Sequence, residues 1–285
     1  MGRGAWEPAP CPMPHAPWLL AMQWWCAATG FPWTWTWQWY PGVHLLLILL
    51  AFGWWRLGSA QHWVARPWGW FAVAWVTLLA TLDWPIGKLG AGYLASIHTL
   101  QFLLLTLLVG PALLRSIPPE GWRALAPDGS ATARFLRMMA RPLPGLLAYT
   151  ALVITTHFPA VVDSAMTSQL GSLSIDLAWL AAGLILWWPI AAPRGFVVLG
   201  VWGTIGYVFG ATIGPTVPAM MMVFADWPIY QLYELAPRVW VHFTANQDMK
   251  LAGLGMKMFG DIPLWGVATY VFFSGNSMQG ELVDG

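Results

Sequence analysis

Two histidines, His98 and His157, lie inside apolar stretches of the chain. An imidazole in such surroundings needs a hydrogen-bond partner, a metal ion or water, because an isolated polar group in hydrocarbon is unfavourable. Imidazole nitrogens combined with methionine sulfur favour copper in either oxidation state. We therefore treat both histidines as candidate copper ligands. The further candidate donors are two carboxylates and two thioethers, Asp176, Asp248, Met220 and Met222.

Other roles compete for these residues, because no two of them form a compact metal motif such as HxxxH. A buried neutral histidine bonded to a neighbouring helix explains His98 equally well, and a polar group at a helix end explains His157. Asp176 suits the start of a helix, where a carboxylate is favourable. Met220 and Met222 are typical packing residues. The copper site is thus a hypothesis that depends on how the helices bring these groups together.

The composition predicts an all-α, polytopic transmembrane bundle. Of 285 residues, 58% are hydrophobic and 9% are charged, and the mean hydropathy is +0.58. Many of the 23 tryptophans stand at the ends of apolar runs, where the indole ring anchors at the lipid headgroups. A net charge of +1 excludes a general electrostatic role with nucleic acid. Apolar length predicts seven spans, over residues 40–55, 67–84, 89–114, 143–162, 173–192, 196–217 and 250–273.

The third predicted span, 89–114, organises the bundle. One half of it carries Tyr93, Ser96, His98, Thr99 and Gln101, while the other half is almost purely apolar. Because lipid does not tolerate so many polar groups, this half must direct one face towards the bundle interior. The remaining helices are expected to enclose that face.

Basic residues fix the predicted orientation. Alternate loops contain eight arginines, against four Lys and Arg residues in the intervening segments. The positive-inside rule then places the N-terminus outside and the C-terminus inside the cytoplasm. With that orientation the six candidate copper ligands all fall in the outer half of the bundle, where they would share one chamber.

The chain before the first span, residues 1–39, is rich in proline and tryptophan and predicts a segment that lies on the membrane surface. No cleaved signal peptide is predicted. Its cysteines, Cys11 and Cys26, are compatible with a disulfide, a metal pair or two unpaired thiols. The domain prediction is thus an interfacial segment (1–39), a transmembrane domain (40–273) and a short tail (274–285).

Five motifs in order resemble the multi-span CtaG family of cytochrome c oxidase assembly factors. They are LDWPIGKLG, SIHTLQFLLL, THFPAVVDSAM, AGLILWWPI and QDMKLAGLGM, and the similarity spans about residues 36–273. The resemblance implies a seven-helix protein of the bacterial inner (cytoplasmic) membrane. It also implies a role in maturing haem-copper oxidases, with copper handled for the oxidase and oxidase subunits as partners.

Several positions depart from the family pattern. The third-span pattern resembles HxxQH, and here His98 and Gln101 match while Phe102 replaces the second imidazole. Asp176 stands where the fifth span usually carries a histidine. The loss of two imidazoles weakens a Cu(II) site. Lys257 stands where an apolar or aromatic residue is usual, and it lies one turn from Asp261, with which it can pair.

Two further hypotheses remain open. The chain could be a non-catalytic accessory or scaffold subunit that packs in a larger membrane complex through its tryptophan-rich helices. It could also be a proton or small-molecule carrier, although the expected absence of inverted repeats and broken helices disfavours this. An enzyme is not predicted, because the sequence contains no nucleophile–base pairing, phosphate-binding loop or haem-attachment motif.

Overall fold

A computed structural model describes residues 23–192 and 199–283, with side chains through residue 274. These residues form helices and connecting loops without any strand, which confirms the all-α prediction. The helices are α1 (Pro41–Ala60), α2 (Trp68–Leu82), α3 (Ile86–Gly92), α4 (Ala95–Leu103), α5 (Gly110–Arg115), α6 (Pro119–Leu125), α7 (Ala131–Met139), α8 (Pro142–Thr156), α9 (Pro159–Ala165), α10 (Gln169–Ala191), α11 (Val201–Phe224), α12 (Gln231–Leu235) and α13 (Ala245–Val283). A π-helical turn, Leu104–Val109, joins α4 to α5.

Four continuous helical segments in the described part are long and apolar enough to cross a membrane: α1, the α4–α5 segment, α10 and α11. Two bent pairs, α2 with α3 and α7 with α8, raise the number to six if each pair is one span. The predicted number of seven is not confirmed. The helical bundle is nevertheless that of a membrane protein, since large apolar side chains such as Leu45, Ile48, Trp202 and Phe224 are exposed on its outer surface.

The predicted third span is divided at its polar end. Tyr93 and Leu94 interrupt the helix, so residues 86–92 form α3 and the spanning segment begins at Ala95. Helix α3 bends by 49° from α2, as a broken span or re-entrant loop does. The expectation that broken helices are absent was therefore wrong.

The helix of the sixth span extends beyond its predicted end at residue 217. Helix α11 continues through Pro215 and Pro218 to Phe224, so Met220 and Met222 lie inside it and not after it. Proline is tolerated in such helices because neighbouring groups satisfy the freed backbone carbonyls. The proline at 218 was therefore a poor marker of the helix end.

Part of the predicted surface segment packs inside the bundle. The amides of Trp24 and Trp25 both donate to Gln169 Oε1 at the start of α10, over 2.8 and 3.1 Å. The buried Cys26 thiol donates to the Leu82 carbonyl at the end of α2. Cys11 lies outside the described residues, so the choice among a disulfide, a metal pair and two unpaired thiols stays open.

Candidate functional site

The two candidate histidines lie at the centre of one aromatic cluster. His98 is on α4 and His157 follows the last residue of α8, and each is only 3% exposed. Trp179 of α10 contacts both rings, with centroid distances of 4.6 Å to His98 and 5.6 Å to His157. The imidazoles therefore cannot be further apart than the sum of these distances, and they face a common neighbour.

Three of the four imidazole nitrogens have no hydrogen-bond partner among the described residues. These are both ring nitrogens of His98 and Nε2 of His157, whereas Nδ1 of His157 lies 2.9 Å from the Val153 carbonyl oxygen. Buried polar atoms nearly always have a partner, because an unsatisfied one costs about 1–3 kcal/mol. The simpler alternative for His98, a hydrogen bond to a neighbouring helix, is not seen within residues 23–192 and 199–283. The open nitrogens make this cluster the candidate functional site.

Aromatic side chains form the walls of the site. Phe102 lies 4.7 Å from the His157 ring and 5.6 Å from Trp179, measured between centroids. Tyr233 of α12 lies 5.7 Å from His98 on another side. Phe102 is the residue that replaces the second histidine of the HxxQH pattern, and its ring fills the space beside His157. The site consequently offers two imidazoles within a largely apolar enclosure.

The aromatic walls are held by hydrogen bonds at their outer edges. Trp179 donates from Nε1 to Thr156 Oγ1 over 2.9 Å, and Tyr230 donates to the His157 carbonyl over 3.0 Å. Tyr233 donates to the Gly90 carbonyl over 2.5 Å. Burial raises the pKa of the Tyr233 hydroxyl well above its usual value, so this group stays protonated and keeps donating. The site is thereby fixed to α3, α8 and α12.

Asp248 positions the helix that carries His98. It is 1% exposed at the start of α13, and its Oδ2 accepts from the Ala95 amide over 2.6 Å. Its Oδ1 accepts from the Ser96 amide and hydroxyl, over 3.2 and 2.5 Å. A carboxylate here satisfies amides of the first turn of α4 and complements the helix dipole. Asp248 thus caps the N-terminus of α4 although it is distant from α4 in sequence.

Asp176 and the two methionines have surroundings of their own. Asp176 Oδ2 accepts from Trp25 Nε1 over 2.8 Å, one turn before Trp179 on α10. Met222 is buried where α11 meets Gly253 of α13, while Met220 lines a separate groove between these helices. Within the described residues no group of three or more His, Cys, Asp or Glu side chains is placed to hold a metal ion.

The donor set limits the metal states that the site could hold. Cu(II) prefers four donors in a tetragonal arrangement, whereas Cu(I) accepts a low coordination number. Two open imidazoles in an apolar enclosure match the second preference. Trp179 and Tyr233 were not predicted as site residues, although Trp179 differs from the anchoring tryptophans by standing at the middle of an apolar run.

These features define a helical membrane protein that encloses paired histidines among aromatic side chains. A family model described as cytochrome c oxidase caa3 assembly factor matches residues 48–275, and the chain belongs to this family. The resemblance inferred from the five motifs is therefore confirmed. No curated protein and no solved structure matches the chain.

Proposed function

We propose that this protein assists the maturation of a haem-copper oxidase by holding copper between His98 and His157. The observation that carries the proposal is the set of three buried imidazole nitrogens that have no hydrogen-bond partner in the described part of the chain. Membership of the oxidase assembly family supplies the context, and it favours a non-catalytic role. When bound, copper would supply the cargo for the oxidase and satisfy the open nitrogens.

Each residue of the site has a distinct part in this proposal. His98 and His157 would donate nitrogens, while Trp179 and Phe102 exclude water and keep the rings apart from other polar groups. Asp248 would act by fixing α4 and hence the position of His98. The two-nitrogen set would bind copper less tightly than a site with three imidazoles, which suits a protein that must release its cargo.

We keep Asp176, Met220 and Met222 as weaker candidate copper ligands. Asp176 still accepts a hydrogen bond from Trp25, and Met220 lies on a different surface. We infer that they act during the loading or release of copper.

We also propose that seven helices cross the bacterial inner membrane, namely α1, α2, α4–α5, α8, α10, α11 and α13. Each overlaps one span predicted from apolar length. The excess of arginine in alternate loops supports an N-terminus outside the cytoplasm and a site near the outer surface.

Metal analysis of the purified full-length protein tests the copper proposal. We expect the wild type to retain roughly one copper per chain, and His98→Ala and His157→Ala to lose most of it, because each removes half of the donor set. His242→Ala serves as the matched control, since His242 is exposed and lies outside the cluster. A wild type that never retains copper, or alanine variants that retain as much as the control, would refute the proposal.

A further inference from the structure

Helices α11 and α13 pack side by side and leave a groove between them of about 630 Å³. We call it the α11–α13 groove. One of its edges is a row of exposed apolar side chains at four-residue spacing on α11, Ile213, Val217 and Met221. The other edge is a row at the same spacing on α13, Lys257, Asp261 and Trp265. Two such rows form the kind of groove into which a ridge of a third helix packs.

A charged cluster lies within this apolar groove. Lys257 Nζ is 2.8 Å from Asp261 Oδ2 and donates to Thr216 Oγ1 over 2.7 Å. The side chains of Lys257 and Asp261 are 33% and 21% exposed, so the pair is not sealed by the bundle. Partly exposed charges at membrane depth are unfavourable and mark sites where a partner or ligand is received.

The lysine does not extend towards the nearest helix end, as a snorkelling lysine does. It pairs with Asp261, one turn further from the N-terminus of α13, and with Thr216, which is eight residues from the end of α11. At 1.5 Å per residue that places Thr216 roughly 12 Å from the end of its helix. With α11 and α13 spanning the bilayer as proposed above, a lipid headgroup at the surface would be too distant to satisfy the pair.

The cluster retains capacity for more hydrogen bonds. Two protons of Lys257 Nζ are directed at Asp261 and Thr216, and within the described residues the third has no acceptor. The hydroxyls of Thr212 and Thr216 are already donated to the Phe209 and Thr212 carbonyls. The groove thus offers one donor on Lys257 and one acceptor oxygen on Asp261. A lipid tail would use neither of them.

We propose that the α11–α13 groove binds a transmembrane helix of a partner membrane protein. That helix would carry near its middle a side chain that both donates and accepts hydrogen bonds, such as the carboxamide of asparagine. Charge complementarity selects this occupant, because a carboxamide matches the ammonium and the carboxylate together. The inference rests on the proposed assembly function, since an unassembled membrane subunit is the partner that such a factor must hold.

Binding of synthetic helices to the full-length protein in phosphatidylcholine nanodiscs tests this inference. The probes are a 21-residue helix of Leu and Ala and the same helix with one central Asn, with affinity measured by energy transfer. We expect the Asn helix to bind about threefold to tenfold more tightly, from one or two hydrogen bonds in the membrane. The double variant Lys257→Met/Asp261→Leu should bind both helices alike, because it removes the polar pair but keeps the apolar volume.

Lys250→Met is the matched control, since it removes a lysine from the same helix outside the groove, and it should keep the preference for Asn. Lys257→Arg should also keep the preference, which guards against a folding defect in the double variant. Equal binding of the two helices to the wild type, or closure of the groove by a second copy of the chain, would overturn the inference. Copper content should be the same in the wild type and in the groove variants. A failure of the copper proposal would therefore appear in the copper content, and a failure of this inference in the helix binding.

Discussion

The Phe102→His variant is expected to bind copper more tightly than the wild type, by at least about tenfold. The new imidazole would lie one turn from His98 on α4, in the HxxxH arrangement that places two rings on one helix face. It would also occupy the position from which Phe102 now contacts His157, with ring centroids 4.7 Å apart. Three imidazoles in place of two would bring the donor set closer to the four donors that Cu(II) prefers.

Competition with a copper chelator of known affinity measures this effect in the purified protein. Leu100→His is the matched control, because it adds an imidazole to the same helix at a residue that is 37% exposed. The control should bind copper as the wild type does. Equal affinity of the Phe102→His variant and the Leu100→His control would show that the aromatic cluster is not where copper binds.

The Asp248→Ala variant is expected to lose about 3 kcal/mol of stability, since hydrogen bonds to a charged group are worth about 1.5–3 kcal/mol each. The substitution leaves the amides of Ala95 and Ser96 without an acceptor at the buried start of α4. Copper retention should fall with it, because His98 is held by that turn. Thermal unfolding followed by circular dichroism measures the change, with the exposed Asp226→Ala as a control of equal charge.

Asp248→Asn distinguishes a positioning role from direct copper ligation. The carboxamide of asparagine keeps one acceptor oxygen, but its NH2 group would face the amide of Ala95 or Ser96, so we expect stability and copper retention between those of Asp248→Ala and the wild type. If Asp248 were a ligand, Asp248→Asn would instead lose as much copper as Asp248→Ala although it is the more stable of the two variants. That outcome would return Asp248 to the ligand set inferred from the sequence.

The helical membrane fold and the proximity of the two histidines could be predicted from sequence. Both predictions use the fact that polar groups are rare in apolar spans and must face the bundle interior. His98 and His157 stand out for that reason in any reading of hydropathy. The family could be predicted from the order of five motifs, and its match to residues 48–275 confirms it.

The break between α3 and α4 could not be predicted in this way. Leu94 is extended and α4 begins at Ala95, and the amide of Ala95 is satisfied by Asp248, 153 residues away in sequence. Local helix propensity cannot predict a contact between residues so far apart in sequence. The contact of Trp25 with Asp176 is hidden for the same reason, since a proline-rich segment gives no periodic signal for where it packs.

The position of Met220 illustrates a different limit. Depth along a helix can be counted from sequence, but the direction of a side chain depends on how the helix is rotated against its neighbours. Met220 and Met222 were placed at the same level as the histidines, yet one lines the α11–α13 groove and the other faces Gly253. The same rotation brings Thr216 to Lys257.

X-ray absorption at the copper edge, on the copper-loaded full-length protein, tests the central claim most directly. The account predicts two nitrogen donors with the outer-shell pattern of imidazole, and loss of one of them in His98→Ala. A spectrum dominated by sulfur, or one without imidazole scattering, would contradict it.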